Sequence, residues 1–224
     1  MTAWVHLDTG LIPGGGRNLS LMQRGDEFSI VVDTIELMNS TRGDSEEALA
    51  TLACTPIAGR PHARVLIGGL GMGFTLRAAL KVLAPDAEVV VAELVPAVSG
   101  WARGPLTKVF AGCLDDPRVV LRETDVTRLI QSGPGAWDAI LLDVDNGPEG
   151  LMRRANDRLY DVWGLRRAWW ALKPEGVLGV WSGTPDRKFK TRLKRVGFGV
   201  QETRMPASGQ SGPRHVVWVA TRAA

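Results

Sequence analysis

Strand-like and helix-like segments alternate along the chain from residue 63 onward. Short continuous runs of apolar residues are typical of strands buried on both faces of a sheet, and the segments between them carry apolar residues at helical spacing. This alternation predicts an α/β fold in which helices cover both faces of a mostly parallel sheet. The strands are predicted at Arg64–Ile67, Glu88–Ala92, Val119–Leu121, Trp137–Asp143, Gly176–Trp181, Phe198–Met205 and His215–Thr221. A loop rich in Gly, Ser and Pro joins the last two strands, which are therefore expected to be antiparallel.

The first 62 residues have a different pattern. Three short runs of alternating or β-branched residues, at 19–22, 28–32 and 35–38, predict a small antiparallel β unit. Residues 1–16 end in a Pro-Gly-Gly-Gly stretch and are predicted to be irregular. A helix is expected from Glu46 to about Cys54, because Asp44 or Ser45 can cap it. We therefore expect two domains, an N-terminal unit over 1–55 and an α/β domain over 56–224.

Helices are also predicted between the strands of the α/β region. One begins at Pro96, and the others cover 72–83, 125–131, 157–172 and the stretch from Thr184 to Gly197. The last of these carries a basic run at 187–195, which is a candidate nucleic-acid surface. Phe189, Leu193 and Val196 fall at i, i+4 and i+7, so we expect a single buried stripe and a solvated basic face, with no nucleic-acid partner.

Composition and charge exclude several classes of protein. A chain with 45% hydrophobic and 23% charged residues is globular rather than disordered. No apolar run reaches the roughly 18 residues of a membrane span, and no secretion signal opens the chain, so a cytoplasmic protein without a membrane partner is expected. Two cysteines and three scattered histidines form no metal-binding pattern, and no metal is expected. Residues 184–224 hold nine Lys/Arg and two acids, whereas the remainder holds 18 and 22, so the body of the protein is slightly acidic.

Glycine and acidic residues follow the first four predicted strands of the α/β region. The glycines are Gly68, Gly69, Gly71 and Gly73, and the acids are Glu93, Asp125 and Asp143. Glycine allows a tight turn and lets a ligand approach the backbone N–H groups of the following helix. A carboxylate at the position of Glu93 is typical of ribose binding. Because the carboxyl ends of parallel strands meet at one edge of a sheet, these residues predict a nucleotide site, although Asp125 is equally compatible with a helix N-cap.

Together these segments resemble the spermidine synthase-like family, within the class I S-adenosylmethionine (SAM)-dependent methyltransferase fold. The similarity runs from about residue 19 to 221. The similar motifs are Gly68–Gly73 with Thr75-Leu76-Arg77, Val91–Pro96, Asp116–Val119 with Asp125, Leu142–Pro148, and Leu159-Tyr160. The resemblance implies a Rossmann-like, seven-stranded sheet, a bound SAM or decarboxylated SAM, and a homodimer.

The resemblance also implies roles for individual residues. Gly68, Gly69, Gly71, Gly73, Glu93, Asp125 and Asp143 would bind the donor. Within this set, Glu93 would bind the ribose and Asp125 the adenine amino group. Asp143, Asp145 and Tyr160 are the candidate catalytic residues, with Glu149 close to them in sequence. Asp143 is the best candidate for accepting the proton of an attacking amine, and Tyr160 is also compatible with a packed residue whose hydroxyl is hydrated.

Two departures from the family pattern bear on the reaction. The family's glycine loop has an aspartate near the amino group of the donor, where this chain has Leu70-Gly71-Met72, and Asn146 stands where the polyamine synthases have a second aspartate. Without that loop anion nothing repels the carboxylate of intact SAM, so methyl transfer to a small amine is expected. One alternative is aminopropyl transfer from decarboxylated SAM, with Asp44, Glu46 or Glu47 supplying the negative charge. The other is a nucleoside-binding protein without catalysis.

Overall fold

The computed structural model describes residues 3–14, 16–144, 157–206 and 214–224. A four-stranded antiparallel sheet comes first in the chain, with its strands in sequential order. Its strands are β1 (Val5–Leu11), β2 (Asn18–Arg24), β3 (Glu27–Val32) and β4 (Ile35–Asn39). The last three match the predicted N-terminal β unit.

Strand β1 differs from the prediction, because the sequence pattern indicates no strand within residues 1–16. All of its residues except Gly10 are exposed, so it lacks the alternating burial that makes a strand recognisable. It pairs antiparallel with β2, from Val5 opposite Gln23 to Leu11 opposite Asn18. The indole N–H of Trp101 also donates a 2.7 Å hydrogen bond to Asp8, so tertiary contacts stabilise the strand.

A seven-stranded sheet forms the centre of the α/β region, as predicted. Its strands are β5 (Arg64–Gly68), β6 (Glu88–Glu93), β7 (Val119–Glu123), β8 (Trp137–Leu142), β9 (Leu172–Ser182), β10 (Phe198–Pro206) and β11 (Arg214–Arg222). Their order is β10-β11-β9-β8-β5-β6-β7. The five strands from β9 to β7 are parallel, and β11 runs antiparallel to both of its neighbours.

Helices cover both faces of this sheet. They are α1 (Asp44–Cys54), α2 (Phe74–Val82), α3 (Pro96–Arg103), α4 (Thr107–Phe110), α5 (Val126–Ile130), α6 (Asp157–Tyr160), α7 (Val162–Ala171) and α8 (Arg187–Val196). Alternate residues of β5 enter two separate cores, because side chains of a strand point to opposite faces. Val65 and Ile67 pack with α1 and α2, whereas Leu66 packs in the core that contains α7 and α8.

Two helices differ in detail from the prediction. Helix α1 begins at Asp44, and no side chain caps it, although the sequence predicts a cap at Asp44 or Ser45. The helix expected over 157–172 is divided into α6 and α7 at Asp161, whose carboxylate accepts a 2.7 Å hydrogen bond from the N–H of Gly164 and caps α7. The basic helix α8 is as predicted. Asp186 caps it, Phe189 and Leu193 are fully buried, and Gly197 ends it with φ +107°.

No helix in the described residues is long and apolar enough to cross a membrane. The division into domains at residues 55 and 56 stays a prediction. Helix α1, which precedes that boundary, packs against the large sheet, where Leu49 and Ala53 lie over Gly179 of β9.

Candidate active site

A cavity opens at the carboxyl ends of the parallel strands, where the sequence predicts the site. Its walls come from the loops after β5, β6, β7 and β8, together with Trp181 near the end of β9. Residues of the N-terminal sheet, including Leu19, Ile30, Leu37 and Met38, cover it. The small antiparallel sheet therefore closes a site whose chemistry comes from the large one.

The glycine-rich loop after β5 forms one wall. Gly69, Gly71 and Gly73 have φ of +92°, +50° and +75°, a region in which glycine is favoured. A Cβ on Gly69 would lie 2.3 Å from the backbone oxygen of Asp143, so the two loops touch there. Gly69 and Gly71 line the cavity. Gly68 packs against Val126, and Gly73 immediately precedes α2, so their contact with a donor stays a prediction.

Glu93 lines the cavity and links two of its loops. Its side chain is buried, and its two carboxylate oxygens accept hydrogen bonds from the backbone N–H groups of Leu70 (2.9 Å) and Val95 (2.8 Å). Burial raises the pKa of Glu93, although these N–H groups oppose the shift. An ionised carboxylate has about four lone-pair sites, so Glu93 can accept from a ribose hydroxyl in addition to Leu70 and Val95.

Asp125 is both a helix cap and a cavity residue. Its Oδ1 accepts hydrogen bonds from the backbone N–H of Thr127 (2.9 Å) and from the hydroxyl of Thr127 (2.7 Å), which caps α5. The same side chain lines the cavity. The two interpretations of Asp125 are therefore compatible, because no hydrogen bond to Oδ2 occurs among the described residues and this oxygen can accept from a ligand amino group.

Asp143 directly follows β8 and lines the cavity together with Glu46 of α1. Its Oδ2 accepts a 2.6 Å hydrogen bond from the hydroxyl of the buried Thr75 at the start of α2. Burial and the nearby Glu46 carboxylate raise the pKa of Asp143 to about 7, whereas the Thr75 hydrogen bond acts in the opposite direction. Asp143 therefore titrates in the range that suits a general base near neutral pH.

Glu46 is one of three acids at the start of α1 that the sequence offers as sources of a negative charge at the site. Of Asp44, Glu46 and Glu47, only Glu46 lines the cavity. Burial raises the pKa of Glu46, and the neighbouring Asp44 and Glu47 add to the shift. The sequence motifs also miss Trp181, which lines the cavity, and Thr75 in its role as the hydrogen-bond donor to Asp143.

Tyr160 does not line the cavity. The remaining predicted catalytic residue besides Asp143 is Asp145, which lies outside the described residues, as does Glu149. Tyr160 is 2% exposed, its ring packs edge-on against Phe189, and its hydroxyl donates a 3.3 Å hydrogen bond to the backbone oxygen of Val144. The structure thus places Tyr160 behind the loop that carries Asp143, and a direct contact with substrate stays a prediction.

The cavity is acidic. Among the described residues that line it are four carboxylates and no Lys, Arg or His. The carboxylates are Glu46, Glu93, Asp125 and Asp143. No group of three or more potential metal ligands occurs in the described part of the chain. Such a cavity favours a cationic ligand, because no fixed positive charge compensates the acids.

Comparisons with known proteins identify the fold class and then the family. The chain superposes on a spermidine synthase in complex with the transition-state analogue AdoDATO with a TM-score of 0.76 and 20% identity, covering 97% of this chain and 72% of that one. For spermidine synthase from Thermotoga maritima the TM-score is 0.77 and the identity 19%, with 97% and 73% covered. The architecture is thus that of the class I SAM-dependent methyltransferase fold.

Sequence similarity identifies the family within this fold class. No family model matches the chain. Polyamine aminopropyltransferase 1 from Streptomyces coelicolor is 35% identical over 168 residues, which cover 70% of this chain, and its counterpart from Mycobacterium tuberculosis is 29% identical over 173 residues, which cover 75%. The matches span only 30% and 31% of those relatives. The chain belongs to the spermidine synthase-like family.

The expectation of methyl transfer is wrong. The matching relatives are named polyamine aminopropyltransferases, and solved structures with the same fold are spermidine synthases. The expectation assumed that the uncharged Leu70-Gly71-Met72 loop leaves the donor site without an anion. The loop is uncharged, but Glu46 brings a carboxylate into the cavity from α1, a different element. The charge of a binding site therefore cannot be predicted from the sequence of one loop alone.

Proposed function

We propose that the chain catalyses the transfer of an aminopropyl group from decarboxylated SAM to a small amine. The observation that carries the proposal is the acidic cavity, whose described lining offers four carboxylates and no cation. Decarboxylated SAM bears a sulfonium and an ammonium group without a compensating carboxylate. A pair of opposite charges about 4 Å apart is worth roughly 1–4 kcal/mol, depending on the local dielectric. The names of the relatives support the same reaction.

The residues at the strand ends fit the nucleoside part of such a donor. Glu93 would accept hydrogen bonds from the ribose hydroxyls, and Asp125 one from the adenine amino group. The N–H groups of the glycine-rich loop and the apolar residues Leu94 and Val95 complete this part of the cavity. The chemistry requires an in-line displacement, in which the amine nitrogen forms a C–N bond as the C–S bond breaks and its electron pair stays on sulfur.

Asp143 would act as the base. An alkylammonium ion has no free lone pair, so the acceptor must lose a proton before or as it attacks. Asp143 would take that proton on its carboxylate while Thr75 holds the side chain in place. Its raised pKa matches this task better than that of an ordinary aspartate.

The donor preference tests the proposal. We expect calorimetry to show that decarboxylated SAM binds at least tenfold more tightly than SAM, a difference of about 1.4 kcal/mol. Incubation with decarboxylated SAM and 1,4-diaminobutane is expected to release methylthioadenosine, measured by chromatography. Equal binding of the two nucleosides, or binding without release of methylthioadenosine with any amine, would contradict aminopropyl transfer.

Further expectations concern partners and location. We propose a homodimer that acts on a small molecule in the cytoplasm, without a nucleic-acid or membrane partner. The family similarity supports the small amine substrate. Sedimentation analysis of the purified chain tests the dimer.

A further inference from the structure

Three side chains form a hydrogen-bonded series that begins at the cavity wall. Ser45 Oγ lies 2.5 Å from Glu46 Oε2 and 2.9 Å from His215 Nδ1. Ser45 and Glu46 lie in the first turn of α1, whereas His215 lies on β11, so the series connects segments distant in sequence. Ser45 is 5% exposed, and the His215 ring packs edge-on against Trp181 with 4.8 Å between ring centroids.

The protons in this series have one consistent arrangement when Glu46 is ionised. A serine hydroxyl has a single proton, and the short distance to Glu46 places it between Ser45 Oγ and the carboxylate. His215 Nδ1 must then carry a hydrogen and donate it to Ser45 Oγ. Burial lowers the pKa of His215, which favours the neutral ring. Ser45 thus fixes one oxygen of Glu46, and His215 fixes Ser45.

This series orients Glu46 toward the same part of the cavity as Asp143. The two carboxylates are close enough for Glu46 to disfavour the ionised form of Asp143. Trp181, 7% exposed, lines the cavity beside them, and its indole N–H has no acceptor among the described residues. A cavity wall with two neighbouring carboxylates favours a cationic ligand.

We propose, on the basis of the aminopropyl transfer proposed above, that Glu46 is the second carboxylate of the acceptor-amine site and that Ser45 and His215 are its positioning residues. Glu46 binds the ammonium form of the acceptor, and Asp143 accepts the proton that the nitrogen loses. The hydrogen bond from Ser45 favours the ionised form of Glu46 and so opposes the effect of burial on the pKa of Glu46. The chain thereby has two acids at the acceptor amine although Asn146 replaces one aspartate of the family's loop.

Diamine binding tests the role of Glu46 without turnover. We expect 1,4-diaminobutane to bind to the protein saturated with methylthioadenosine, and Glu46→Gln to weaken this binding at least tenfold in calorimetry. Glu47→Gln is the matched control, since Glu47 is the next residue of α1, faces Arg77 at 3.8 Å and does not line the cavity. It is expected to leave the diamine affinity unchanged. The affinity for methylthioadenosine, equal in both variants, reports that the fold is intact.

The positioning role of Ser45 and His215 has a spectroscopic test. Nitrogen chemical shifts are expected to show His215 as the neutral Nδ1–H tautomer, and Ser45→Ala to abolish that preference and weaken diamine binding about threefold to tenfold. His6 and His62 are exposed and serve as internal references. An Nε2–H tautomer of His215 in the unaltered protein would overturn the arrangement.

The outcomes separate this proposal from the proposed function. Diamine binding that is equal in the unaltered protein and in Glu46→Gln overturns the role of Glu46, even where aminopropyl transfer is observed. Weaker binding of decarboxylated SAM, but not of diamine, in Glu46→Gln overturns it in favour of a donor contact. An unaltered protein that binds no diamine at all overturns both proposals.

Discussion

At the scale of single residues, Asp143 combines the position and the proton affinity that a base needs. It lies on the cavity wall, and burial together with Glu46 raises the pKa of its carboxyl group to about 7. The hydroxyl of Thr75 holds one oxygen at 2.6 Å. A base is most effective when its pKa lies near the working pH, because it is then both available and able to bind the proton.

Replacing Asp143 by asparagine separates proton transfer from donor binding. Asparagine keeps the size of the side chain and an oxygen that can accept from Thr75, but it cannot accept the amine proton. We expect Asp143→Asn to lower turnover by about 10²–10⁴, the usual range for loss of a general base. The affinity for methylthioadenosine, measured by calorimetry, is expected to remain unchanged. Full turnover in this variant would exclude Asp143 as the base.

Glu93 gives a second prediction, which concerns nucleoside binding. Glu93→Gln is expected to weaken the binding of methylthioadenosine by roughly 1.5–3 kcal/mol, the range for hydrogen bonds to charged groups. The change also removes one acceptor for the N–H groups of Leu70 and Val95, so a modest loss of thermal stability is expected. Glu88→Gln, at the partly exposed start of the same strand, is the control and should bind the nucleoside normally. Equal affinity in Glu93→Gln would place Glu93 outside the binding site.

At the scale of helices, strands and loops, prediction from sequence succeeds where a pattern is local. Glu93 ends a buried strand and Asp143 follows another. Such positions lie at the carboxyl edge of the sheet independently of how the other segments pack. Glu46 has no such signal, because its place depends on how α1 packs against the large sheet. Strand β1 is not predicted for a related reason. It is stabilised by pairing with β2 and by contacts with α3, and these leave no periodic burial in its sequence.

The loop after β5 passes close to the loop that carries Asp143, and Gly69 lies at the point of contact. Gly69→Ala would place a Cβ against the backbone oxygen of Asp143 at φ +92°, a conformation that costs a residue other than glycine roughly 1–2 kcal/mol before any clash. We expect this variant to lose at least tenfold in affinity for methylthioadenosine, because the two cavity loops must separate. Gly59→Ala is the control, since a Cβ there has open space. Normal binding by Gly69→Ala would show that the loop adapts.

Helix α8 carries a basic face that we expect to be solvated. Its buried residues Phe189 and Leu193 form one stripe, while Lys190 and Arg192 already pair with Glu202 and Asp186. Binding to duplex DNA, measured by fluorescence anisotropy, is therefore expected to be weak at low salt and lost near about 200 mM salt, as for purely electrostatic contacts. Tight, sequence-dependent binding at physiological salt would contradict this expectation.

At the scale of the whole molecule, the fold is predictable because its signals repeat. One unit of strand and helix alone is weak evidence, but five parallel strands, four of them followed by glycine or an acid, specify one topology and one functional edge. The reaction is not specified in this way. It depends on the sum of charges that several elements bring to one cavity, and α1 supplies a charge that no strand-end motif contains.

Two aspartates at opposite ends of β8 affect the stability of the folded protein in opposite ways. Asp138, at the opposite end of β8, shows the usual behaviour of a paired carboxylate. Burial alone would raise the pKa of Asp138, but the N–H of Arg64 and the side chains of Lys173 and Arg60 lower it. Asp138 therefore stabilises the fold above the ordinary pKa of an aspartate, and Asp138→Asn is expected to lower the free energy of unfolding at pH 8.

Asp143 is expected to have the opposite effect. Its folded pKa is raised from 3.8 to about 7, so between these values the folded state binds a proton that the unfolded state has lost. The stability contributed by Asp143 is thus present below pH 3.8 and falls as the pH rises toward 7. One pKa unit corresponds to about 1.4 kcal/mol, and we expect Asp143→Asn to raise the free energy of unfolding by about 2–4 kcal/mol at pH 8, with little change near pH 4. Urea unfolding of the two aspartate variants at both pH values measures this, and a loss of stability in Asp143→Asn at pH 8 would contradict the raised pKa.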